Sequence, residues 1–315
     1  MKDSSAVLTP AIPNRYGIDI PSRVQSALGV DAIVTSKRTK KTISYKKIGF
    51  YIITVSFLLY TFVPMVSVLL FSFAGKWTHT MLPETWSVSA YTQVFSNSEF
   101  LSSLLRSCFV SLCVMMIDLT VVILALLGLK LTGSKKTEGI MEMVSIIPVA
   151  LPGVILALGC ILFYGEVFPA LLGTPLLLIL TEAAFALPFV FWTLQNAFNN
   201  SDIKRLYEAS CILGAPLLKF ICLILLPNLR KGILAASAMS FTICFNDFAL
   251  AQLLVGAGFK TMPLFQMDFM KIDGHQTSAI AIISIMVTFV LATVLGTIKK
   301  DKTREARASV GNQHK

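Results

Sequence analysis

Six stretches of the chain, at about residues 48–73, 105–129, 139–163, 176–197, 229–254 and 278–298, each run for about 20 or more nearly unbroken apolar residues, the length that crosses the hydrocarbon of a bilayer. In hydrocarbon there is no water to satisfy a peptide group, so a spanning segment must be helical or part of a closed barrel, and continuous apolar runs exclude the alternating pattern of a barrel strand. The sequence therefore predicts an all-α integral membrane protein with six transmembrane helices. Its 55% hydrophobic and 14% charged residues lie outside the roughly 45–50% and 25% of soluble domains, which closes the soluble enzyme and soluble binding-module classes.

The first apolar stretch starts after 47 residues and is too long for the core of a secretory signal peptide, so it is expected to remain as the first span. Six spans put both termini on one side. If that side is the cytosol, 23 of the 27 Lys and Arg residues lie inside, and only Lys76, Arg106, Lys260 and Lys271 lie outside. The positive-inside rule then gives an N-in, C-in topology. Three parts follow: a basic cytosolic tail over 1–47, a six-span membrane domain over 48–298, and a second basic tail over 299–315. The net charge of +10 sits beside span ends, in KRTKKTISYKK (37–47) and KKDKTR (299–304), where orientation and anionic membrane lipid account for it without nucleic acid. Within the first tail, residues 24–34 allow a short amphipathic turn at the membrane surface, beside the alternative of a flexible segment.

No catalytic constellation is present, and no spacing of His, Cys, Asp and Glu suits a metal. His79, His275 and His314 are isolated and expected in solvent. The six cysteines, Cys108, Cys113, Cys160, Cys211, Cys222 and Cys244, lie in or beside apolar segments and read as small buried hydrophobes. The stretch GLKLTGSKKT (128–137) has two glycines but places Ser134 where a phosphate-binding loop needs Lys, so the chain has no nucleotide site of its own. Outside, Trp77, Trp86, Tyr91 and Phe95 in the loop 74–104 are expected to anchor at the interface.

Segment 198–228 lies inside the cell between spans four and five, yet it carries Leu206, Ile212, Leu213, Leu217, Leu218, Phe220 and Ile221. That much apolar surface has to be covered by membrane or by another protein. Asn200, Ser201 and Asp202 offer N-caps for a short helix, Gly214 permits the positive φ that ends it, Pro216 suits the first turn of a second helix, and Pro227 marks the far end. Ala209, Ser210 and Gly214 supply a small-residue surface, and Glu208 an acid for a partner's donor.

Glu208, Ala209, Ser210, Gly214, Ala215, Leu226 and Pro227 resemble the E-A-A-x-x-x-G…L-P signature of permease subunits of bacterial ABC importers, with Ser210 where the family often has Ala. IIPVALPGVILALG (146–159), EAAFALPFVF (182–191) and W…LPETWSVSAY (77–91) extend the likeness over most of 48–298, nearest to the spermidine/putrescine, 2-aminoethylphosphonate and ferric-iron branch. The resemblance implies a type I importer permease fold in the bacterial cytoplasmic (inner) membrane. It also implies that residues 202–227 form the coupling helix docking on a cytosolic ATPase dimer, which binds ATP and Mg; this chain needs no cofactor. A second permease subunit and an extracytoplasmic substrate-binding protein complete the implied assembly. A stand-alone secondary transporter or channel is the rival reading.

Acidic groups inside spans are costly and usually face protein or water. Asp118, Glu182 and Asp247 are the candidates for a substrate pathway, with Asn246 beside Asp247. Gly232, Ala236, Ser240 and Cys244 recur every four residues and form a stripe that allows close helix packing. Asp247, seven residues past Ser240, falls near the same face, where a route between two permeases is expected. Its alternative is a structural role near the outer end of the span. For Asp118 an internal hydrogen bond is favoured, and for Glu182 interfacial solvation. An intramembrane acid suits a polyamine such as spermidine or putrescine as the solute, with 2-aminoethylphosphonate next.

Overall fold

The computed structural model describes residues 45–311 except 78, 79, 81 and 134, with side chains described within 49–294. The amphipathic turn expected at 24–34 and nearly all of the 1–47 tail lie outside the described residues. The chain divides at Phe62 and Val63 into two compact units. The boundary falls inside helix α1 (Tyr45–Ser72). In the first unit, α1 is apolar all round and shows Phe50, Tyr51, Ile53, Phe57 and Leu59 at the surface. Its hydroxyls Thr54 and Thr61 are spent on the carbonyls four residues back, which lets them sit in a lipid-facing helix.

The second unit is organised on three helices that pack most extensively on one another: α3 (Ser98–Thr132), α6 (Pro175–Asn199) and α9 (Leu226–Phe245). Each has a reason to begin or end where it does. Asn97 caps α3 by accepting the Glu99 amide at 2.9 Å, and Gly133 closes it at φ 67°. Pro175 opens α6, where its missing N–H costs nothing. The stripe Gly232, Ala236, Ser240 and Cys244 on α9 makes the tight approach possible. A Cβ built on Gly232 would stand 2.3 Å from the Ala197 Cβ of α6, while Ala236 and Ser240 are fully buried.

Around this bundle lie an outer hairpin of β1 (Ala74–Lys76) and β2 (Thr85–Trp86), helix α2 (Ser89–Ser96), α4 (Lys135–Ala150), α5 (Gly153–Val167), α7 (Ile203–Ile212) and α8 (Leu217–Phe220). Helices α10 (Ala249–Leu254), α11 (Met262–Met270) and α12 (Gly274–Gly311) complete it. Strands β1 and β2 are antiparallel, Ala74 facing Trp86.

Two expected spans are not single helices. The span placed at 139–163 is the pair α4 and α5, bent by 93° at Leu151–Pro152. Pro152 forbids the helical conformation to Leu151, and Pro148 removes an N–H one turn earlier. The span placed at 229–254 stops at Phe245 and restarts at Ala249. Among the described residues four helices are long and apolar enough to cross a membrane, at Gly49–Ser72, Ser98–Thr132, Pro175–Asn199 and Gly274–Val294, with a fifth if the bent pair counts as one span. Helix α9 misses that test because Arg230 and Lys231 lie within its 20 residues. Past 298, where the sixth span was expected to end, α12 continues to Gly311.

Candidate functional site

The segment between α6 and α9 folds as helix, tight turn and helix. Asp202 caps α7 by accepting the Arg205 amide at 3.5 Å. The α7 C-terminus closes through Gly214 at φ 70° and a bond from the Ala215 amide to Ser210 O at 3.0 Å, the six-residue ring of a Schellman turn. Pro216 precedes α8 as its cap residue instead of entering its first turn. Tyr207 and Phe220, rings 5.2 Å apart and edge to face, tie α7 to α8, and Phe220 and Ile203 anchor both in the interior.

What faces outward differs from the sequence expectation at Ser210 and at two cysteines. Glu208, Ala209 and Gly214 are exposed, Ala215 is half-buried, but Ser210 is buried and donates to Tyr207 O at 2.7 Å. Ser210 therefore serves the turn, and the open surface is completed by Ile212 and Leu213, 87% and 85% exposed, with Leu218 beyond the turn. Cys211 and Cys222 are also exposed, so these two are not the buried hydrophobes expected. Pro227 does not end a helix: Leu226 and Pro227 open α9, joined to α8 by a wide turn at Ile221–Leu225.

The acids lie close together, which their spacing in sequence hides. Ser240 on α9 donates to Asp118 Oδ2 on α3 at 2.9 Å, and Asp118 is fully buried. Glu182 on α6 is 2% exposed, so the interfacial solvation expected for it is replaced by enclosure between helices. Cys244 sits beside Glu182 and within electrostatic reach of Asp118 and Asp247. Asp247 is partly buried and accepts the Leu250 and Ala251 amides at 2.8 and 3.3 Å, capping α10 across the helix break. Asn246 is exposed and donates to Thr242 O. The small-residue stripe thus makes its close contact with the chain's own α3 and α6. Two carboxylate oxygens, Asp118 Oδ1 and Glu182 Oε2, are buried without a hydrogen-bond partner.

At the other end of the bundle, His275 is not in open solvent. Its ring stacks on Phe71 at 4.2 Å and its Nδ1 lies 2.9 Å from Phe71 O. Lys260 bridges Glu99 at 2.7 Å and Asp268 at 2.8 Å, pinning α11 to the start of α3, and these two carboxylates hold its ammonium above the usual lysine range. Trp86 and Phe95 are exposed as expected of interface anchors, while Tyr91 bonds Ser72 at 2.8 Å. His79 lies outside the described residues, as does His314. Among the described residues no group of three His, Cys, Asp or Glu is placed to hold a metal ion.

Residues 120–301 match the family described as binding-protein-dependent transport system inner membrane component. The thiamine transport system permease protein ThiP of Escherichia coli (strain K12) is 25% identical over 158 residues, half of this chain but only 29% of that protein's length. The putrescine transport system permease protein PotI of the same strain is 23% identical over 215 residues, 65% of this chain and 74% of PotI. The 2-aminoethylphosphonate transport system permease protein PhnV of Salmonella typhimurium (strain LT2) is 22% identical over 253 residues, 78% and 92% of the two chains. In fold, the chain is similar to a crystal structure of a bacterial ABC transporter involved in the import of the acidic polysaccharide alginate, with a TM-score of 0.57 at 15% identity, covering 90% of this chain and all of that one. The family match spans more than half of the sequence, and its apolar helices suit a multi-pass inner-membrane protein; the chain belongs to the inner-membrane permease components of binding-protein-dependent ABC importers.

Proposed function

We propose that this chain moves a small charged solute inward as one of two permease subunits, driven by a cytosolic ATPase dimer that docks on residues 202–227 and supplied by an extracytoplasmic binding protein. The observation that carries this is the exposed apolar tip at Ile212 and Leu213 beside Glu208 and Gly214, at the position of the family's coupling motif. So much exposed apolar surface on a polar helical segment is a docking surface rather than a solvated loop. ATP and Mg belong to the partner, and this chain acts as a non-catalytic transport subunit.

On this reading the chain has six spans, α4–α5 and α9–α10 each counting as one, with N-in, C-in topology supported by the 23 inside Lys and Arg residues. The basic segments 1–47 and 299–315 flank the permease domain 48–298. Exposed Asn246 and partly buried Asp247, at the α9–α10 break, line the route between permeases, with Glu182 and Asp118 behind them. A polyamine such as putrescine or spermidine is the favoured solute and 2-aminoethylphosphonate the next, on the strength of the relatives and of the acids near the route.

The test is purification of the chain with the products of its neighbouring genes. The native chain should carry an ATPase, and Glu208→Ala or Gly214→Arg should release it, the latter because an L side chain at φ 70° is strained. A native chain that carries no ATPase, or variants that keep it fully, would overturn the docking assignment and favour a transporter that works alone.

A further inference from the structure

We propose that the wide turn at Ile221–Leu225 is the joint at which motion of α7 and α8 is passed to α9; this rests on the importer reading above. Two bodies meet there. On one side α7 and α8 are locked by the Ala215–Ser210 bond and the Tyr207–Phe220 contact. On the other, α9 is locked to α6 at Gly232 and Ala197 and to α3 by Ser240 and Asp118.

Between them the helical ladder changes register. The Leu226 amide donates to Ile221 O, five residues back instead of four. That takes the α-helical donor away from Cys222 O. Pro227 has no N–H, so Leu223 O also lacks the donor a regular helix would give it. Two successive carbonyls thereby lack the donor four residues on that a regular helix supplies, and both belong to exposed residues. On the opposite face Phe220 and Leu225 are fully buried.

Such a turn bends at low cost. In a regular helix, opening one face breaks bonds between residues four apart; here the bonds on the outer face are already absent. Buried Phe220 and Leu225 serve as the pivot. Nor does the Leu226 amide lose a bond if it passes from Ile221 O to Cys222 O, so the two registers have equal numbers of backbone bonds and the segment has two discrete arrangements. Sharp bends in helices concentrate at prolines and at turns of this width, and both occur within these seven residues.

The experiment uses the complete complex in lipid vesicles, with native cysteines replaced and spin labels at Lys204 on α7 and Met239 on α9, both exposed. The Lys204–Met239 distance is read with and without trapped MgATP. Pro227→Ala restores the missing N–H and with it a bond on the outer face, and deletion of Leu223 removes the extra residue and closes the turn; each stiffens the joint. In the native turn the distance should shift on nucleotide binding. In either variant that retains its ATPase, the shift should fall at least threefold. An unchanged shift in the variants overturns the joint, as does a native complex that hydrolyses ATP with no shift, because α7, α8 and α9 then move as one rod. Loss of the ATPase from both variants also overturns it, since the turn then shapes the docking surface. A native chain without any ATPase fails at the earlier purification step and counts against the importer reading itself.

Discussion

Ser240 Oγ donates a hydrogen bond of 2.9 Å to Asp118 Oδ2 across 122 residues of sequence, joining α9 to α3 in the fully buried centre of the bundle. Intramembrane hydrogen bonds of this kind are worth ~0.6 kcal/mol on average and up to ~2. Ser240→Ala should lower the melting temperature of the purified protein by a few degrees, and Asp118→Asn, which keeps an acceptor oxygen, by less. Asp118→Ala should cost more than either, because it adds a cavity to the lost bond. Equal melting temperatures for all three would show that the bond contributes nothing to holding α9.

The contact of Gly232 with Ala197 predicts a size limit. Gly232→Ala would place a methyl 2.3 Å from the Ala197 Cβ, so α6 and α9 must part. Overpacking of this kind costs about 1–3 kcal/mol. Pairing it with Ala197→Gly should recover most of the loss in a double-mutant cycle of thermal unfolding. No recovery would mean that the helices separate elsewhere.

At the break between α9 and α10, Asp247 accepts two amides of α10. Asp247→Ala removes that cap at a cost of about 1 kcal/mol, whereas Asp247→Asn retains an acceptor and should stay close to native. If transport assays find Asn as damaging as Ala while both proteins melt alike, the charge of Asp247 acts on the solute and not on the fold.

The Lys260 clamp carries a pH dependence whose sign follows from its raised ammonium. A cation with a higher folded than unfolded pKa contributes stability that is fully present below its unfolded value, 10.5, and is lost as pH rises through the higher folded value. The clamp therefore holds through neutral pH and lets go only in alkali. Lys260→Met should lower stability at pH 7 by up to ~1 kcal/mol, as expected for a largely exposed pair of carboxylates. The difference between native and variant melting temperatures should begin to shrink near pH 10.5 and vanish once the pH passes the higher folded value; a difference that persists beyond it would place the effect in lost packing.

Much of the fold was legible because lipid leaves a chain few options: an apolar run of ~20 residues has to be helical. The turn chemistry at 200–216 was legible for a similar reason, since an Asp cap and a glycine with positive φ are decided by residues a few positions apart. Two features were not. The 93° bend at Pro152 looked the same in sequence as the gentler Pro188, which lies inside an unbroken α6; whether a proline bends or breaks a helix depends on what its neighbours pack against. Ser210 read as surface because its type suits a docking face, and only the seating of α7 through Ile203 and Tyr207 against Phe220 turns it inward.

The acids mark the division most clearly. The sequence alone determined that Asp118, Glu182 and Asp247 lie in apolar surroundings and need partners, because charge in hydrocarbon is costly wherever it occurs. It also determined that Gly232, Ala236, Ser240 and Cys244 share one face of a helix, a matter of 3.6 residues per turn. Only the tertiary structure decided that this face is filled by the chain's own α3 and α6, that Ser240 reaches Asp118, and that Asp247 spends its carboxylate on α10. The physical reason is that helical periodicity fixes which residues share a face, whereas the neighbour of that face is chosen by long-range packing, where the fit of Gly232 to Ala197 is settled over distances in sequence that no local pattern encodes.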